Sequence, residues 1–71
     1  MSGTELIAIA RQERPGVRYL LSKDGKSIGA WSESLQRTVV VAAQDLQGRW
    51  VSLPYELLIN GQPVQPEWEG A

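Results

Sequence analysis

Apolar and polar residues alternate along much of this chain with the two-residue period of a β-strand. The clearest example runs from Val17 to Trp31, where two such stretches flank Asp24 and Gly25. An Asp-Gly pair favours a two-residue reverse turn, because both central positions need a positive φ that these residues tolerate. The pattern therefore predicts an antiparallel hairpin that turns at this pair.

The register of this hairpin assigns its side chains to two faces, because successive residues of a strand point to opposite sides. One face is apolar and carries Val17, Tyr19, Leu21, Ile28 and Ala30. On the other face Leu20 lies opposite Gly29, with Trp31 within diagonal reach, so we expect the Trp31 ring over the glycine. Trp31 then belongs either to a second core layer or to a contact with a ligand or partner.

The N-terminal stretch, residues 4–13, fits two patterns. As a strand, Ile7 and Ile9 alternate with their neighbours. As a helix, Ser2 and Glu5 have the spacing of a capping box, and a Pro-Gly pair follows where the helix would end. We predict a strand, with a helix as the alternative.

Residues 37–44 form the most distinct strand of the sequence, because three successive β-branched valines resist helix and fit a pleated surface. Its apolar residues point both ways, with Val39, Val41 and Ala43 on one side. That pattern is typical of a central strand, or of one covered by a partner.

The C-terminal half predicts further short elements. Residues 45–48 read as a turn, and residues 49–53 as a strand that returns antiparallel and ends at Pro54. Residues 54–58 are expected to form a single helical turn or to open a last strand. The Asn-Gly pair at 60 and 61 predicts a second hairpin, which links residues 57–59 to residues 62–64.

Five to six short strands separated by frequent turns predict an all-β fold. The expected architecture is a small antiparallel meander or a small barrel of SH3-like or OB-like shape. Residues 1–64 are predicted to form one domain, and residues 65–71 a flexible acidic tail.

Composition narrows the chemistry, because the 71 residues include no cysteine and no histidine. A thiol nucleophile, a thiolate metal site and the commonest general base are therefore excluded. Asp24 and Asp45 are explained by turn formation. We expect a protein that is not an enzyme and that holds no cofactor or metal.

With neither a signal-peptide pattern nor a membrane-spanning run in the sequence, we expect a cytoplasmic location without membrane contact.

Charge and aromatic residues indicate recognition of another molecule. Net charge is −1, divided as +2 over residues 1–37 and −3 over residues 38–71. The candidate binding residues are Leu20, Trp31, Trp50, Trp68, Arg11, Arg14 and Arg18. Strands that are apolar on both sides in so short a chain favour a protein–protein interaction or assembly module, either a homo-oligomer or a small subunit, adaptor or inhibitor of a larger complex. Arginines beside aromatic rings are the basis of the alternative, a binder of single-stranded nucleic acid.

Overall fold

The computed structural model describes residues 2–54, 57–58, 60–62 and 65–69. In chain order these form helix α1 (Gly3–Glu13) and strands β1 (Tyr19–Leu21), β2 (Ser27–Ser32), β3 (Arg37–Gln44) and β4 (Trp50–Ser52). The strands make one antiparallel sheet in the order β1-β2-β3-β4. The prediction of a mostly β, antiparallel fold is confirmed. The sheet is open and not a closed barrel, and within the described residues it has four named strands, fewer than predicted.

Helix α1 replaces the strand that we predicted for residues 4–13, so the strand prediction is wrong and the alternative is confirmed. The Ser2 hydroxyl accepts a hydrogen bond from the Glu5 N–H and donates one to the Glu5 carboxylate, both at 3.2 Å. The two isoleucines that alternate in sequence then lie far apart around the helix. Ile7 is buried against the sheet at 7% exposure, whereas Ile9 is 43% exposed.

The hairpin of β1 and β2 has the predicted register, with Tyr19 opposite Ala30 and Leu21 opposite Ile28. Its turn differs from the prediction, because only Gly25 has a positive φ, at 75°, and Asp24 does not. The Ser22 N–H donates to the Ser27 carbonyl at 3.0 Å, so residues 23–26 connect the strands where two were predicted, and the Gly25 N–H donates to the Ser22 carbonyl at 2.9 Å within this connection. A four-residue connection needs one left-handed residue, and glycine provides it.

Strand β3 has the predicted bounds, but its faces differ from the prediction because of a β-bulge. The pairing with β2 shifts between Ile28 and Gly29, which lie opposite Ala42 and Val40. Val41 is the extra residue between these two pairs. Ala42 therefore shares a face with Ile28, and the predicted grouping of Val39, Val41 and Ala43 on one side is wrong.

The turn after β3 and the returning strand β4 agree with the sequence prediction. Gly48 has φ 80°, and its N–H donates to the Asp45 carbonyl at 3.0 Å. Pairing with β3 continues to Leu53, whose N–H donates to Val41 at 3.0 Å, and stops before Pro54, which has no N–H.

After Pro54, the next described residues, Leu57 and Leu58, are helical. The N–H groups of Leu57 and Leu58 both donate to the Pro54 carbonyl, at 3.0 and 3.2 Å. The predicted second hairpin is therefore wrong at Leu57 and Leu58, and its positions 59, 63 and 64 lie outside the described residues.

The core lies between α1 and one face of the sheet, which we call the helix face. Its buried members are Ile7, Tyr19, Ile28 and Ala30, and Leu6, Ala10 and Leu21 are among the partly buried residues packed around them. No helical stretch within the described residues has the length and apolar character needed to cross a bilayer.

Candidate binding surfaces

Among residues 2–54, 57–58, 60–62 and 65–69, the helix face of the sheet is only partly covered, and an apolar groove lies beside α1. Helix α1 packs over β1 and β2. An α-helix is about 10 Å wide and neighbouring strands are about 4.8 Å apart, so one helix covers about two strands. The space over β3 and β4 forms a groove of about 550 Å³. The apolar side chains that line it include Leu6, Ile9, Val41, Trp50, Leu53 and Leu58.

One wall of the groove is a stripe along helix α1. Leu6, Ile9, Ala10 and Glu13 all line it, and their spacing places them on one side of the helix. Trp50 of β4 faces the groove, because it packs against the core, whereas the next residue, Val51, points to the other face of the sheet. Ile9, 43% exposed, therefore presents an apolar side chain to solvent at the groove from the helix.

Trp50 lines the groove and also packs against the core, partly buried. A Cβ placed on Gly3 would lie 3.2 Å from a ring carbon of Trp50 and 2.5 Å from Leu21. The first helical residue therefore approaches the sheet closely, and Gly3 permits this approach. Trp50, a predicted binding residue, lines the groove and supports the start of α1.

The opposite face of the sheet, which we call the tryptophan face, carries Gly29, Trp31, Thr38 and the ring of Trp68. A Cβ on Gly29 would lie 2.6 Å from the ring of Trp68 and 2.5 Å from the Thr38 methyl group. The ring over Gly29 is therefore that of Trp68, and the prediction that Trp31 occupies this place is wrong. Trp31 is 37% exposed.

Trp68 reaches Gly29 because residues 65–69, which we call the tail, run beside β1. Trp68 forms an antiparallel bridge with Ser22. The Lys23 N–H donates to the Glu67 carbonyl and the Glu69 N–H donates to the Leu21 carbonyl, both at 2.8 Å. The tail thus extends the sheet at the β1 edge. The predicted domain boundary at residue 64 and the predicted flexibility of residues 65–71 remain predictions.

The three candidate arginines do not share one surface. Arg14 ends helix α1 and lines the groove, whereas Arg11 lines a separate cavity of about 320 Å³ with Leu20 and Glu69. The Arg18 carbonyl accepts the N–H of Trp31 at 2.9 Å, so these two residues lie opposite each other.

The turn between β1 and β2 depends on the carboxylate of Asp24. It accepts the hydroxyl of Ser22 at 2.6 Å and the N–H of Lys26 at 2.9 Å. The Ser22 hydroxyl, followed by the Lys26 N–H, holds the pKa of Asp24 below its ordinary value.

Sequence reasoning missed Ile9 in the groove and Gly29 as the contact of Trp68. The helical spacing of Leu6, Ile9 and Glu13 was the one available signal for the groove wall. No family model, curated protein or solved structure matches the chain.

Proposed function

We propose that this chain is a non-catalytic protein–protein interaction module that assembles with further copies of itself through the groove. The observation that supports the proposal is the groove on the helix face, where Ile9 remains 43% exposed beside Leu6, Trp50 and Leu53. A chain of 71 residues buries a limited fraction of its surface when alone.

The energetic reason for association is the apolar area that the groove leaves in water. Removing such area from solvent contributes about 25 cal/mol per Å². A partner surface that covers Leu6, Ile9 and Leu53 recovers this contribution, and it must exceed the entropy lost on association. Glu13 and Arg14, at the helix end of the groove, supply opposite charges that fix the orientation of the partner more than they add affinity.

The test is sedimentation velocity over a wide concentration range with two matched variants. Ile9→Asp puts a charge into the groove, whereas Leu46→Asp puts the same charge on a fully exposed side chain outside it. We expect the wild type and Leu46→Asp to associate and Ile9→Asp to remain monomeric. A wild-type chain that stays monomeric at every concentration, or variants that associate equally, would overturn the proposal.

The second candidate function, binding of single-stranded nucleic acid, is supported by one observation on the tryptophan face. Exposed Trp31 lies opposite Arg18, so a base can stack where a cation meets phosphate. This candidate requires that oligonucleotides quench tryptophan fluorescence at low salt and that Trp31→Ala abolishes the quenching. An oligonucleotide that causes no quenching at low salt would eliminate it.

A further inference from the structure

The Asn-Gly pair at residues 60 and 61 has a chemical reactivity that the fold leaves available. Asn60 is the single asparagine of the sequence, and both residues are exposed. In the part of the chain that the structure describes, the Gly61 N–H donates no hydrogen bond. Asparagine is a thermolabile residue, and a glycine after it lets the backbone nitrogen approach the side-chain amide because no Cβ stands in the way.

From this arrangement we infer that Asn60 is a modification site, at which the chain deamidates without an enzyme. The Gly61 nitrogen forms a bond to the side-chain carbonyl carbon of Asn60. The bond from that carbon to the side-chain nitrogen breaks, and the proton of the Gly61 N–H passes through solvent to the departing nitrogen. Ammonia leaves, and the product is a cyclic imide between the two residues.

Water is the co-reactant that opens this ring at either of its carbonyl carbons. Opening at the former side-chain carbon gives aspartate. Opening at the main-chain carbonyl carbon gives isoaspartate, whose main chain runs through the former side chain and is longer by a methylene group. Nothing is oxidised or reduced, and each product replaces a neutral amide with a carboxylate.

The longer main chain of the isoaspartate form disturbs the contacts of Gln62. The Gln62 Oε1 accepts the Val40 N–H at 2.6 Å, and its Nε2 donates to the Leu57 carbonyl at 2.8 Å. Val40 is 1% exposed, so its N–H depends on Gln62 for an acceptor. Isoaspartate therefore weakens the attachment of this segment to the sheet, whereas aspartate, with the ordinary main chain, leaves it in place.

A similar pair, Asp24 and Gly25, is protected by its hydrogen bonds. The Gly25 N–H donates to the Ser22 carbonyl at 2.9 Å, which holds its nitrogen in the turn. The Asp24 carboxylate accepts the Ser22 hydroxyl at 2.6 Å and the Lys26 N–H at 2.9 Å, and an ionised carboxylate resists attack by a nucleophile. We expect Asp24 to stay unmodified under conditions that convert Asn60.

The experiment incubates the folded full chain in mildly alkaline buffer and follows each peptide by mass spectrometry, with fragmentation that distinguishes aspartate from isoaspartate. The variant that blocks the reaction is Gly61→Ala, whose added methyl group hinders the attack. A Cβ at Gly61 would lie 3.6 Å from the Leu57 side chain, an ordinary contact, so alanine fits. The control is Gly16→Ala, because a Cβ at Gly16 meets no described atom within 4 Å.

We expect the wild type and Gly16→Ala to gain, at Asn60, the mass difference between water and ammonia, faster as the pH rises. Gly61→Ala should convert several-fold more slowly. If Gly61→Ala does not fold, Asn60→Gln gives the same test, because the longer side chain would have to close a larger ring. An Asn60 that keeps its amide throughout, or a Gly61→Ala chain that converts as fast as the wild type, would overturn the inference.

The consequence for the fold is measured on the isoaspartate form, separated from the unmodified chain by its added charge. Asn60→Asp is the matched control, since it carries the same charge on an ordinary main chain. We expect the isoaspartate form to unfold at a lower urea concentration than Asn60→Asp, which should resemble the wild type. Equal stability of the isoaspartate form and Asn60→Asp would overturn the link to Gln62.

Discussion

The ring of Trp68 rests on Gly29, at a distance that leaves no room for a Cβ on the glycine. A methyl group there would lie 2.6 Å from the ring and 2.5 Å from Thr38, closer than side chains approach. The absence of a side chain at position 29 thus determines where the tail binds.

We expect Gly29→Ala to displace Trp68 and to lower the free energy of unfolding by about 1–3 kcal/mol through overpacking. Urea denaturation with tryptophan emission measures both effects, because a displaced ring shifts to longer wavelength. The control is Gly16→Ala, since a Cβ at Gly16 meets no described atom within 4 Å. Equal stabilities for the two variants would contradict the packing of Trp68 on Gly29.

The start of α1 gives a second prediction. Ser2→Ala removes the acceptor of the Glu5 N–H and should cost about 1 kcal/mol of stability, whereas Ser2→Asp should restore it. Helical circular dichroism during thermal unfolding measures the change. If the alanine and aspartate variants unfold at the same temperature, the hydroxyl of Ser2 does not cap the helix.

Gln62 connects the segment after β4 to the sheet. Its side-chain carbonyl accepts the N–H of Val40 at 2.6 Å, and Val40 is 1% exposed. Gln62→Leu removes the acceptor of a buried donor and should cost about 1–3 kcal/mol. Gln62→Glu keeps an acceptor but loses the amide that donates to the Leu57 carbonyl at 2.8 Å, so its effect should be smaller. Urea titration measures the stability that each variant loses. A larger loss for Gln62→Glu than for Gln62→Leu would refute this role of Gln62.

Asp24 makes the turn sensitive to acid. Its folded pKa is lowered, first by the Ser22 hydroxyl and then by the Lys26 N–H, so the carboxylate form is favoured in the folded state. The stabilisation is complete above the unfolded pKa, about 3.9, and is lost as the pH falls through the lower folded value. We expect Asp24→Asn to be less stable than the wild type at pH 7, with the difference shrinking in acid. Thermal unfolding from pH 7 into acid measures the difference in stability between the two proteins. A difference that does not change with pH would contradict the role of the Asp24 carboxylate in the turn.

Local pairing explains which parts of the fold the sequence predicts. Leu21 lies opposite Ile28 because the turn is short, and the register follows from counting outward from Asp24 and Gly25. The turn type is less predictable, because hydrogen bonds to Asp24 stabilise a longer loop with the same register.

Features that depend on distant contacts escape local patterns. Ile7 and Ile9 alternate as they would in a strand, and only the Ser2 cap and packing against the sheet favour the helix. The bulge at Val41 and the position of Trp68 over Gly29 depend on strands distant in sequence. The groove is unpredictable for the same reason, since it lies where a helix covers two strands of four.

The most direct test of the groove as a binding surface is photo-crosslinking in cells that make the full chain. A benzoylphenylalanine replaces Ile9 in one variant and the fully exposed Leu46 in the other. We expect irradiation to join the first variant to a second copy of the chain, and the second variant to give little product. Equal crosslinking from the two positions, or none from position 9, would contradict a groove that is covered by assembly.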